Sequence, residues 1–168
     1  MKKIIAGVAI ISVALFGASQ VQAGSDHHSH KSESPVYPNH GMATLKSPHS
    51  VTKTLDRLEV VLKKKGITIF ARVNHSAGAE NVGIPLRPTE LLIFGNPKLA
   101  SPLMVSNQTI GLDLPLKALA WKDEKGQVWL TYNAPGHVAR RHKVKDQKNI
   151  VEKMATALDK LTKAATKP

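Results

Sequence analysis

His75, Arg87, Glu90, Asn96, Tyr132, Asn133, Arg141 and His142 carry the side chains most suited to recognising a small anion. An imidazole can donate, accept or carry a proton near neutral pH, a guanidinium offers a planar fork of donors, and amide and phenol groups add direction. Gathered at one mouth of a folded sheet, His75, Arg87, Tyr132 and His142 would make a basic, hydrogen-bonding pocket for a carboxylate or another small anion. Tyr132, on the last strand, is the best placed of these to line a cavity, and the others also have a plainer use. His75 can cap the segment that it opens. Arg87 and Glu90 flank Pro88-Thr89 and are expected to pair with each other and fix a loop. Asn96 in Gly95-Asn96-Pro97 and Asn133 in Asn133-Ala134-Pro135 suit turn closure, and Arg141-His142 suits the satisfaction of helix-end carbonyls. An enzymatic alternative would use His75 as general acid or base, which needs a partner to orient the ring. The sequence holds no GxSxG, HExxH, phosphate-binding P-loop or GxGxxG pattern.

A second chemistry lies near the N-terminus. Asp26-His27-His28-Ser29-His30, with His40 and His49 beyond, places several imidazoles on a polar stretch. His27, His28 and His30 suit copper, nickel or zinc, and a chain beginning Ser25-Asp26-His27 would offer amine, amide and imidazole nitrogens to a square-planar ion. The same stretch also reads as a solvated tether.

These groups need a scaffold, and composition bounds it. The chain has 168 residues, a formal net charge of +12 and no Cys. That length suits one modest domain. Without Cys, disulfides, thiolate nucleophiles and Cys-held zinc are excluded. Residues 1–23 read as a secretory signal, with basic Lys2-Lys3, an apolar run from Ile4 to Phe16, and a small-residue site ending at Ala23. The run is shorter than the roughly 20 residues that span a bilayer. The expected destination is therefore the periplasm or the exterior, with no membrane span after cleavage. Aromatics are 4% of the chain and the positive charge is spread out, so nucleic acid is not an expected partner.

Residues 24–41 are expected to form a disordered, His-rich lead segment. Met42 to Lys46 reads as an edge strand. Ser50 is a good cap for a helix carrying Val51, Leu55, Leu58 and Leu62, which Gly66 ends. Ile67 to Val73 reads as a half-buried or buried strand, Thr89 to Phe94 as an apolar strand, Asn74 to Gly83 as a short helix between turns, and Lys98 to Ser106 as a helical turn or two. Leu112 to Trp121 and Gln127 to Tyr132 read as a hairpin, with Pro115 needing an edge or a bulge. A short helix should carry His137, Arg140, Arg141 and His142, and Val151, Met154, Leu158 and Leu161 mark a final amphipathic helix. The order predicts an α+β two-layer sandwich, with a mostly antiparallel sheet and helices on one face.

Several blocks resemble the DUF302 family of small bacterial α+β domains: TLDRLEVVLKKKGITIFARVNHSAG (Thr54 to Gly78), LRPTELLIFGNPK (Leu86 to Lys98), SPLM (Ser101 to Met104), DLPLKALAW (Asp113 to Trp121) and VWLTYNAP (Val128 to Pro135). The likeness runs from Leu45 to His142, which places the domain at residues 42–142 and leaves 143–168 as a basic C-terminal helix and tail. Asn74 stands where the family more usually has Asp, so His75 has no adjacent carboxylate. The resemblance implies a two-layer fold that tends to form homodimers, and it brings no settled activity. The sheet edge at Met42 to Lys46 or the last helix could supply the dimer face. The resulting expectation is an exported binding or structural module, holding a small anionic ligand near His75 and Arg87.

Overall fold

A computed structural model describes residues 41–168. The described chain runs β1 (Met42–Ser47), α1 (Val51–Lys64), β2 (Thr68–Asn74), α2 (His75–Glu80), β3 (Thr89–Gly95), α3 (Pro97–Ser106), a 3-10 turn (Gln108–Leu112), β4 (Leu116–Lys122), β5 (Val128–Asn133), α4 (Pro135–Arg141) and α5 (Lys148–Thr166). The five strands form one sheet in the order β1-β5-β4-β3-β2, antiparallel throughout. Strands β2 to β5 form a meander, and β1 joins it beside β5. This is the expected α+β architecture.

The period-2 pattern divides the sheet cleanly. Glu90, Ala120, Leu130 and Leu45 lie in one cross-strand row, and Leu92, Ala118, Tyr132 and Ala43 lie in the next. Both rows face α1 and α5, and the main core forms there around Leu55, Leu58, Leu62, Leu92, Phe94 and Leu158. Ala118 and Ala120 keep the central strand low where α1 crosses it. The opposite face carries Leu91, Leu119 and Thr131 in one row and Trp121 and Trp129 in another. Those two rings stack with centroids 6.3 Å apart, and Trp121 Nε1 donates to Thr131 Oγ1 at 2.9 Å.

Local chemistry sets the helix ends. The Ser50 hydroxyl accepts from the Lys53 amide at 3.2 Å, capping α1 as its sequence suggests. Asn74 and Asn96 cap α2 and α3 in the same way. The final helix buries Met154, Leu158, Leu161 and Ala165. Its apolar face packs against α1 within the same chain. Gly41 has φ of 71°, and a Cβ there would lie 2.0 Å from His137 Cγ, so only glycine lets the start of β1 pass beneath that ring.

Two local expectations are corrected. The first hairpin strand begins at Leu116 and not at Leu112, because Pro115 has no N–H for the ladder of this central strand. Leu112 lies instead in the 3-10 turn and is exposed. Strand β2 is a sheet edge, which leaves Phe70 and Val73 exposed where a half-buried or buried strand was expected.

Candidate functional site

The register decides whether the eight candidate residues meet. Asn74 pairs with Glu90, Thr89 with Trp121, and Trp121 with Trp129, so these positions mark one end of the sheet. Thr68 pairs with Gly95, Phe94 with Leu116, and Met42 with Asn133, marking the other. A seven-residue strand separates the two ends by about 20 Å. His75, Arg87 and Glu90 belong to the first end. Asn96, Tyr132, Asn133, Arg141 and His142 belong to the second. The expected convergence of His75, Arg87, Tyr132 and His142 on one mouth therefore does not occur.

Individual partners differ from expectation as well. His75 is exposed in the first turn of α2, and Asn74 does the capping by accepting from the Ala77 amide at 2.9 Å. Arg87 is exposed and donates through Nε to the Lys122 carbonyl at 3.1 Å, so it does not pair with Glu90. Glu90 is buried and held by Arg72 Nε at 2.8 Å and by the Thr52 hydroxyl at 2.6 Å. Arg72 also reaches Asp56 at 2.7 Å and Glu59 at 3.3 Å. Partial burial by itself would lower the Arg72 pKa, but the hydrogen bonds and charges of Asp56 and Glu90 outweigh it and hold the pKa above the ordinary guanidinium value. Arg72 was missed because nothing in a strand sequence shows which carboxylates a neighbouring helix will bring.

At the other end, Tyr132 is buried in the main core and Asn133 is exposed at the close of β5. His142 is buried, with Nε2 placed 2.7 Å from Asp113 Oδ2 and Nδ1 placed 3.0 Å from Thr109 Oγ1. Arg141 is exposed and lies 3.4 Å from the same Asp113 oxygen. Asn96 accepts from the Lys98 amide and also stands at the rim of a cavity.

That cavity is the better-formed site. It measures about 220 Å³ and lies between α3, α5 and the sheet end formed by β2, β3 and β4. Phe70, Phe94, Met104, Leu114, Met154 and Leu158 supply its apolar wall, and Asn96 and Ser101 supply side-chain polar groups. It is smaller than the roughly 300–1,000 Å³ pockets that take drug-sized molecules, so it suits a small guest. A cavity walled in this way offers water few hydrogen bonds and favours an apolar occupant. Sequence reading missed it because Met104, Leu114 and Met154 follow the same apolar patterns as core residues.

The metal expectation at His27, His28 and His30 lies outside the described residues, as does His40. His49 is described, and its Nε2 lies 2.7 Å from the Lys167 carbonyl. Among the described residues no group of three His, Asp or Glu side chains is placed to hold a metal ion.

The antiparallel sheet and its helical layer define a small α+β domain with a two-layer architecture. The sequence matches the family described as "Domain of unknown function DUF302" over residues 43–161. The chain belongs to the DUF302 family. The match runs past His142 through most of α5, which fits the packing of α5 on α1. A crystal structure of an uncharacterized conserved DUF302 protein from Bacillus stearothermophilus superposes with a TM-score of 0.69 at 19% identity, covering 75% of this chain and 98% of that one. It shares the fold. Among curated proteins, the chain is 45% identical over 126 residues to a protein named fluoride-specific ion channel FluC 1 from Brucella suis, covering 74% of this chain and 50% of that protein. The like-named protein of Brucella abortus is also 45% identical, with 47% of its length covered. The chain thus spans about half the length of these relatives. No helix among the described residues is long and apolar enough to cross a membrane.

Proposed function

We propose that this protein is an exported DUF302 module that holds a small ligand with an apolar body in the pocket between α3 and α5. The pocket carries the reading, because about 220 Å³ of apolar-walled space is open to a guest while the eight candidate polar residues are spread over both sheet ends. The expected ligand position therefore moves from His75 and Arg87 to this cavity. Calorimetric titration with 1-octanol tests it. The alcohol should bind the native protein, and Ala157→Trp, which fills the pocket wall, should abolish that binding. Equal binding by the variant overturns the reading.

Export is proposed from the basic, apolar and small-residue succession of residues 1–23. Mass spectrometry of the periplasmic or secreted protein should find a chain beginning at Gly24. Homodimerisation is proposed through the free edge of β2, where a second copy can pair with unused backbone groups and cover Val73, Val82, Ile84 and Leu86, which are all exposed. A monomeric mass by light scattering at micromolar concentration removes it. Copper, nickel or zinc uptake by His27, His28 and His30 is a separate proposal. Calorimetric titration of the exported chain against residues 41–168 tests it, and equal uptake by both ends it.

A second reading draws on the 45% identity to proteins named as fluoride-specific ion channels. On that reading the chain serves fluoride handling as an accessory module. Deletion of its gene should then lower fluoride tolerance, and unchanged growth across a fluoride series rejects the role.

A further inference from the structure

The apolar pocket continues into a shallow groove. The two share Ile67, Asn96, Leu99, Ala157 and Leu161, so a molecule seated in the first extends directly into the second. The charged groups of the groove are Lys65, at the end of α1, Lys153 and Lys160 on α5, and Glu152. Lys153, Thr156 and Lys160 follow at spacings of three and four and stand along one side of the helix. Lys63 and Lys163 are paired with Glu59 and Asp159 four residues away. Lys65, Lys153 and Lys160 form no ion pair with any described residue. The pocket mouth therefore carries three ammonium groups against one carboxylate.

We infer that the ligand is a single-chain amphiphile with an anionic head, of the medium-chain carboxylate class. Its methylenes occupy the apolar pocket and its carboxylate lies among Lys65, Lys153 and Lys160. The inference rests on the pocket reading given above and adds the head group to it. Lysine suits the task because its stem lies along an apolar rim while its ammonium stays in water. At about 30 Å³ per water-sized group, the cavity holds about seven methylenes, which corresponds to a chain of about eight carbons. A wholly neutral guest would leave the surplus charge at the mouth unused.

Octanoate and 1-octanol, which share a tail and differ in the head, test this by calorimetric titration of the native protein and of Lys65→Gln/Lys153→Gln/Lys160→Gln. Native protein should bind octanoate about fivefold more tightly than octanol, the scale expected of exposed ion pairs, and added salt should erode that preference. The triple variant should lose the preference while binding octanol as before. Its substitutions are all on exposed side chains, and an unchanged melting temperature verifies its folding. Equal affinity for the two probes in native protein, or a preference that survives in the variant, overturns the carboxylate head while leaving the pocket reading intact. Failure of both probes to bind native protein overturns the two together.

Discussion

His142 Nε2 stands 2.7 Å from Asp113 Oδ2, tying the end of α4 to the turn that leads into β4. The ring's other nitrogen meets Thr109 Oγ1, the Thr109 hydroxyl donates to Asn107 Oδ1 at 2.8 Å, and Asn107 Nδ2 donates to the His142 carbonyl at 2.8 Å. The circuit closes on itself. A histidine that looks available for a ligand in the sequence thus serves as a latch beneath the second apolar cluster, which includes Leu103, Ile110, Leu114 and Val138.

His142→Ala should therefore weaken the fold, because it removes two side-chain hydrogen bonds and leaves Asp113 with Arg141 alone. The expected cost is about 1–3 kcal/mol in urea-induced unfolding. Thr109→Ala should cost less, since Thr109 is exposed and the His142 bond to Asp113 remains. A His142→Ala variant as stable as the native protein would show that the circuit forms without contributing.

Arg72 and Glu90 form a largely buried ion pair, for which removal of one partner should cost more than removal of both. Glu90 is buried under α1, and its carboxylate relies on Arg72 and Thr52. Arg72→Met should cost about 3 kcal/mol or more by leaving that charge buried without its cation, whereas Arg72→Met/Glu90→Met should recover most of the loss. The comparison is a double-mutant cycle by denaturant unfolding. Additive single effects would mean that the pair is not coupled.

The contrast between these two clusters explains what the sequence disclosed. Helix α1 was legible because Val51, Leu55, Leu58 and Leu62 repeat at helical spacing between Ser50 and Gly66, and the β4–β5 hairpin because Val128 and Leu130 alternate with Trp129 and Thr131. Both signals are local. The partners of Glu90 are not: Arg72 reaches it through cross-strand register, and Thr52 reaches it from a helix 38 residues earlier. Arg87, three residues from Glu90, was the nearer cation in sequence and the wrong one in space. The pocket was illegible for a related reason. Phe94 and Leu158 line it and also belong to the core, so no property of the residues themselves distinguishes a wall from an interior. Lys153 and Lys160 likewise look like any solvated helix face until Lys65 is brought beside them.

The β4–β5 turn provides a pH test with a determined sign. Trp129 Nε1 donates to Asp123 Oδ2 at 2.8 Å, and the amides of Lys125 and Gln127 donate to Oδ1 at 2.9 Å each. The Trp129 bond is the largest influence. With the two amides and the Lys125 charge it outweighs desolvation and holds the Asp123 pKa below its ordinary value of 3.8. The folded state thus favours the carboxylate more than the unfolded state does. Its stabilisation is fully present above pH 3.8 and is lost as pH falls through the lower folded value. Asp123→Asn keeps an acceptor oxygen but has no proton to gain. The variant should be less stable than the native protein at about pH 7, and the gap should narrow as the medium is brought well below about pH 4. Urea unfolding followed by the fluorescence of Trp121 and Trp129 reads the gap directly, and the other carboxylates cancel in the difference. A gap that stays constant from neutral to acid pH would mean that the Asp123 charge contributes nothing to holding the hairpin.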